Sequence, residues 1–178
     1  GAEVVITYAV GRFEAERVVR DIRKAGGNCE AVQLDIRYPL SEQIGAKAFN
    51  QLYHFATPFI AGKRGKGFDL AKLDQMMAFY VEGFYRACAH LRSTGSQAID
   101  AFYPSSVFVE SRPAGFTEYA MAKAAGEALC ADIPRMLKGV RAHVRRLPRL
   151  PTDQTSSVQP LEMGAPVDEM LAAIRSMA

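Results

Sequence analysis

Apolar and polar positions along this chain follow two periods, one near two and one near 3.6. Residues 3–8, Glu-Val-Val-Ile-Thr-Tyr, are a short β-branched run, which predicts a buried strand. Residues 13–25 place Phe13, Val18, Val19 and Ile22 at helical spacing among charges, which predicts an amphipathic helix. Gly26-Gly27 ends it. A second strand is predicted over 29–35 and a short helix over 39–48, with Pro39 near its first turn. An apolar third strand follows over 52–56, then a basic, glycine-rich loop over 62–67. Residues 69–91 hold no proline and one internal glycine, Gly83, and predict a long helix. A fourth strand is predicted over 98–105. A second long helix covers 117–137, with Pro134 expected to disturb its end. A fifth strand over 140–147 alternates with basic residues; a Pro/Ser/Thr-rich loop over 148–166 and a closing helix over 167–177 complete the chain.

Strands alternating with helices of ten or more residues imply βαβ units. Crossovers of that kind are right-handed. The expected fold class is therefore α/β, a three-layer sandwich with a mostly parallel sheet. No internal repeat is visible, and residues 1–178 are expected to form a single domain.

Composition narrows the function classes. With 178 residues, 49% hydrophobic and 23% charged, the chain is long enough to bury a core. It does not fit long disorder, collagen or coiled coil. No apolar run approaches the ~18 residues of a membrane span, and no basic-then-apolar leader opens the sequence, so no membrane partner is expected. A formal charge of +3 does not call for nucleic acid. The cysteines, Cys29, Cys88 and Cys130, are scattered and odd in number, which fits reduced thiols and a cytoplasmic location better than a disulfide framework. His54, His90 and His143 lack metal-ligand spacing, so no metal is expected. His54 lies in an apolar strand and reads as a satisfied core histidine.

The residues that carry chemistry are Ser106, Tyr119 and Lys123. Tyr119 and Lys123 are four apart on a predicted helix and share a face. An ammonium near a phenol favours the phenolate by direct attraction, moving the tyrosine down from about 10 toward a range useful for acid–base work. Ser106 falls where a strand ends, the usual ligand-binding edge of an open α/β sheet. A chance Tyr-x-x-x-Lys is expected about 0.3 times in such a chain, and roughly 0.01–0.02 times with the upstream serine added. The competing structural reading is a surface Tyr–Lys pair on a solvated helix.

On these residues the chain resembles the short-chain dehydrogenase/reductase family. Tyr103-Pro-Ser-Ser106 and Tyr119-Ala-Met-Ala-Lys123-Ala-Ala-Gly-Glu127 are similar to its ketoreductase and epimerase-like branches. The resemblance covers nearly the whole chain and implies a Rossmann-like fold. It implies Tyr119 as general acid/base, Lys123 as ligand of the nicotinamide ribose, and Ser106 as the residue orienting a substrate carbonyl. Residues 1–8 look like the family's second strand, and Asp35, at the end of its third, would contact the adenine. Ala56-Thr57-Pro58 stands where the family has Asn-Ala-Gly, which puts Ala56 at a cofactor-lining position. Tyr80 stands where its long helix has a structural Asn. The family's first strand, glycine-rich turn and first helix have no counterpart in these residues, so a neighbouring segment or a second chain is expected to complete the sheet. The strand at 3–8 ends without an acidic residue, and Arg12 follows; this favours NADP over NAD, with NAD possible.

Two functional expectations follow. The first is an NADP(H)-dependent oxidoreductase, ketoreductase-like, acting on a small-molecule or acyl carbonyl substrate, as a homo-oligomer if its two long helices pack on a second copy. The alternative is a degenerate, non-catalytic dehydrogenase-like domain with structural or partner-binding roles. The loop at 62–67 lacks a Gly-Lys-Ser/Thr ending and reads as an exposed loop rather than a phosphate cradle. Arg141, Arg145, Arg146 and Arg149 read as a solvated strand end rather than a seat for an acidic partner. Residues 152–160 are expected over any substrate cleft.

Overall fold

The β-branched opening run forms β1 (Glu3–Tyr8) in a computed structural model that describes residues 1–60, 62, 67–148 and 166–177. The chain divides into two compact units, Gly1–Lys47 and Ala48–Ala178. In the first, β1 lies parallel to β2 (Asn28–Gln33), with Glu3 opposite Asn28 and Tyr8 opposite Gln33. Between them runs α1 (Arg12–Lys24), which buries Ala15 and Val19. The predicted stripe is partly wrong: Phe13 is 82% exposed, and Val18 is exposed as well. A helix turns about 100° per residue, so Phe13 lies about 160° around the axis from Ala15. A two-stranded sheet offers too narrow a surface to cover both. The turn after α1 is closed by bonds from Gly26 N to Arg23 O and from Gly27 N to Ile22 O. The second helix, α2 (Leu40–Ile44), is shorter than the predicted 39–48 because it ends at Gly45, whose φ of 65° no α-helix continues through.

The second unit holds a parallel sheet in the order β3-β4-β5, made of Gln51–Tyr53, Ile99–Ser106 and Val140–Leu147. The predicted third strand contracts to three residues. The His54 amide still donates to Phe102 O at 3.1 Å, but the His54 side chain turns into the core instead of continuing the pleat. The helix predicted over 69–91 is present in three pieces: α3 (Leu70–Met77), a π-helical turn (Ala78–Gly83) and α4 (Phe84–Ser93). A short α5 (Phe108–Ser111), absent from the sequence reading, precedes α6 (Thr117–Met136). Pro134 lies within α6, in its last turn, where the missing N–H removes a single bond and the helix stops soon after. The last helix is α7 (Pro166–Ser176).

Sheet alternation sorts this unit into layers. Ile99, Ala101 and Tyr103 join Met76, Tyr80, Phe84, Cys88, Ala122, Cys130 and Ile133 in one core. Phe102, one residue out of phase, meets Met177, Met170 and Tyr53. Helices thus cover both faces of β4, and its strand residues are buried nearly throughout, as a central parallel strand requires. Every ladder is parallel, and the α/β class agrees with the sequence expectation. Among the described residues β1 has only β2 as a ladder partner, and β3 only β4. All three cysteines are free and buried. Among the described residues, no helix is long and apolar enough to cross a membrane, and no group of three or more His, Cys, Asp or Glu could hold a metal ion. Residues 63–66 of the basic loop, Arg149 and residues 152–160 lie outside the described residues.

Candidate active site

The C-terminal end of β4 delivers Pro104, Ser105 and Ser106 to one point. Ser106 is nearly buried, and its Oγ accepts the Phe108 N–H at 3.2 Å, which turns the chain into α5. Its own proton stays available, and the hydroxyl draws the pKa of the nearby Tyr119 phenol down. Tyr119 sits in the first turn of α6, half-buried between the rings of Phe108 at 6.0 Å and Tyr80 at 5.7 Å. One turn on, Lys123 is only 5% exposed. Its Nζ donates to Pro104 O at 2.6 Å and lies 3.9 Å from the Tyr80 ring centroid, 5.0 Å from that of Tyr103 and 5.9 Å from that of Tyr119. The three residues singled out in the sequence therefore meet around the end of one strand.

Their electrostatics differ from the sequence expectation. Burial pushes the Tyr119 phenol up, and only the Ser106 hydrogen bond pulls it down. Burial lowers the Lys123 ammonium to about 7. An amine held near 7 is partly neutral at physiological pH, and this one directs its donors at a carbonyl and two other rings. The expected depression of Tyr119 by Lys123 is therefore outweighed by burial of both groups.

Two side chains after β3 pack close to this cluster. His54 is buried and held down to about 4 by burial, so it is neutral. Its Nε2 faces Phe79 O at 2.9 Å and must donate, since a carbonyl only accepts. Phe79 lies in the π-helical turn, where the i→i−4 ladder is interrupted. His54 is thus the satisfied core histidine expected from sequence. Thr57 Oγ1 donates to Pro58 O at 3.0 Å and meets Tyr80 Oη at 2.5 Å. With the threonine proton committed, Tyr80 is the donor in the second bond.

A further network braces the strand end from β5. Arg146 grips Glu127 with Nε at 2.7 Å and Nη2 at 2.6 Å and also pairs with Glu110; Ser105 Oγ donates to Glu127 at 2.5 Å. Arg146, with help from Ser105, holds the Glu127 carboxyl below its usual range. Arg141 is bidentate on Asp100, and Arg145 pairs with Glu169. Arg141, Arg145 and Arg146 thus have acidic partners inside their own unit, which accounts for them without an acidic macromolecule.

The residues assigned to cofactor binding are distributed over both units. In the first unit, Arg12 opens α1 as an exposed guanidinium on Glu16 at 2.7 Å. Asp35 follows β2, its carboxylate held by Arg37 at 2.6 and 2.9 Å and kept below the usual range by that contact. Gln43 clamps the Asp35 backbone from both sides, at N and at O. In the second unit, Ala56 is half-buried beside Thr57. An exposed guanidinium with one weak i,i+4 partner suits a phosphate, and a partly exposed carboxylate suits an amino donor. Lys123, sealed under rings, offers little of its ammonium to a ribose as it stands. Sequence reasoning missed the contact between Tyr80 and Lys123. The signal was present as the departure at Tyr80, an aromatic where the resembling family has a small amide.

No family model matches the chain, and no curated protein matches it. Solved structures do. The chain is 20% identical to a 7α-hydroxysteroid dehydrogenase complexed with NADH and 7-oxo glycochenodeoxycholic acid, at a TM-score of 0.85, covering 100% of this chain and 78% of that one. A FolM alternative dihydrofolate reductase 1 from Brucella canis complexed with NADP gives 20% identity and a TM-score of 0.69, over 83% of this chain and 63% of that one. A short-chain dehydrogenase from Burkholderia cenocepacia in complex with NADP gives 24% and 0.73, over 86% and 66%. The chain thus spans between 63% and 78% of these proteins' lengths. At such identities the shared property is the fold, and the chain has the Rossmann-like fold of short-chain dehydrogenase/reductases.

Proposed function

We propose that this chain carries the chemistry of an NADP(H)-dependent oxidoreductase that reduces a carbonyl group, with Ser106, Tyr119 and Lys123 as its catalytic residues. The observation that carries the reading is the convergence of the three at the C-terminal end of β4. That edge is where open α/β sheets bind their ligands. The NADP complexes of structurally similar proteins support the cofactor. Within the first unit, Arg12 is proposed for a cofactor phosphate and Asp35 for an adenine; within the second, Ala56 and Lys123 are proposed for cofactor contacts.

NADPH held by these residues would supply a hydride to the carbonyl carbon, and the π-electron pair would pass to oxygen. Tyr119 donates its phenolic proton to that oxygen, completing the alcohol, and the phenolate regains a proton from solvent. The burial that raises the Tyr119 pKa keeps it protonated at neutral pH, which suits the reducing direction. Ser106 redirects its hydroxyl from Tyr119 to the substrate oxygen and aligns it. In the full-length polypeptide, NADPH oxidation is expected with at least one member of a broad ketone and acyl-thioester panel. Tyr119→Phe should lower the rate about 100-fold or more. Silence across the whole panel would refute the reading.

A second reading, a non-catalytic scaffold, is favoured by one observation: the Lys123 ammonium is sealed beneath Tyr80 and Tyr103. Micromolar NADPH binding by calorimetry would reject it. A homo-oligomer belongs to the first reading. The exposed Tyr85 and Met121 on its two long helices would be covered by a second copy, which sedimentation velocity would detect.

A further inference from the structure

Lys123 is a cation in an almost closed space. It is 5% exposed, and no carboxylate pairs with it among the described residues. An ammonium taken out of water this far needs compensation. One N–H meets Pro104 O at 2.6 Å. The remaining donors face aromatic carbon, and the closest is the Tyr80 ring, with its centroid at 3.9 Å. That distance lies well inside the range in which a ring face attracts a cation.

Tyr80 is itself fixed on three sides. It lies in the π-helical turn, is 1% exposed, and packs edge-on against Tyr119. Its hydroxyl donates to Thr57 Oγ1 at 2.5 Å, and Thr57 is tied to Pro58 O. His54 holds the neighbouring Phe79 carbonyl and with it the turn. The ring therefore cannot swing away from the ammonium without breaking several contacts.

We propose that Tyr80 is a positioning residue: its ring face seats the Lys123 ammonium, and its hydroxyl, tied to Thr57, fixes that ring in place. The seat offsets part of the cost of burying the ammonium and holds it against Pro104 O. Its consequence for catalysis rests on the oxidoreductase reading above; the seat itself does not.

The titratable groups around Lys123 are Tyr80 of the π-helical turn, Tyr103 of β4, Tyr119 and Cys130 of α6, and His54 after β3. Burial raises the four acidic ones, Cys130 to about 12, and holds His54 near 4. All five are neutral around pH 7, so a change in Lys123 there reports on ring and carbonyl rather than on a hidden ion pair.

The test is a pH titration of Lys123 by NMR in full-length protein carrying 13Cε-labelled lysine, assigned by the signal lost in Lys123→Arg. In the wild type the ε-methylene protons are expected to be displaced upfield by the ring current of Tyr80. Tyr80→Phe, which keeps the face, should leave the titration midpoint in place. Tyr80→Leu, which removes it, should lower the midpoint by about one pH unit. Equal midpoints in wild type and Tyr80→Leu would overturn the proposal. So would an ε-methylene signal at an ordinary position in the wild type, a result that needs no variant to fold. In kinetics, the high-pH fall of kcat/KM should move down with Tyr80→Leu and stay with Tyr80→Phe. A shifted titration in a protein that reduces no carbonyl would uphold the seat and dismiss the oxidoreductase reading.

Discussion

Tyr103 and Gly126 share one small volume. A Cβ at position 126 would lie 1.9 Å from Tyr103 Oη and 2.3 Å from its Cζ, so α6 approaches β4 closely only because residue 126 lacks a side chain. Gly126→Ala is expected to cost about 2 kcal/mol through overpacking, seen as a lowered midpoint in urea. The Tyr103 hydroxyl is buried and has no hydrogen-bond partner among the described residues. Tyr103→Phe should therefore be neutral or stabilising by about 1 kcal/mol. Lys123 gives a pH signature of the same origin. Its folded value near 7 lies below the unfolded value of about 10.4. The unfolded chain thus binds more protons between those limits, and stability rises with pH across that window. Lys123→Met should raise the melting temperature at pH 7 and flatten the rise up to pH 10, as thermal melts at stepped pH would record. The serine, tyrosine and lysine were legible in sequence because a fixed spacing marks them. The sealing of Lys123 was not, because it depends on Tyr80, 43 positions away and brought close only by packing.

At the scale of elements, periodicity placed the strands and long helices but not their interruptions. The segment 69–91 is helical by pattern; nothing in its residues announces a π-helical turn, which depends on partners outside it. His54 is the partner that can be tested. Its folded value near 4 lies below the ordinary 6.5. As pH falls through this interval, the unfolded chain takes up a proton that the folded chain refuses. The wild type should lose up to about 3 kcal/mol of stability between pH 6.5 and 4 from this group, and His54→Leu should show a shallower decline in the same denaturation series. The Glu127–Arg146 contact between α6 and β5 has the sign of a depressed carboxylate. Its support is present above the usual glutamate range and fades as pH falls through the lowered folded value. In Glu127→Gln that acid-limb loss should disappear. The stripe on α1 was misread because hydrophobic spacing alone does not say how wide a sheet lies beneath the helix.

For the whole molecule, the α/β class and parallel pairing followed from the alternation of strands and helices, and both are found. The division at Lys47 did not follow, since no change of composition marks it. In the proposed reaction, the residues gathered at the end of β4 pass a proton to a carbonyl oxygen while a hydride reaches its carbon. The direct measurement is transfer of deuterium from 4-deuterated NADPH to a ketone by the full-length polypeptide, read by mass spectrometry of the product alcohol. One deuterium is expected on the carbinol carbon with the wild type, formed about 100-fold or more slowly by Tyr119→Phe. A wild type that yields no labelled alcohol, or a Tyr119→Phe variant that labels it as fast, would contradict it.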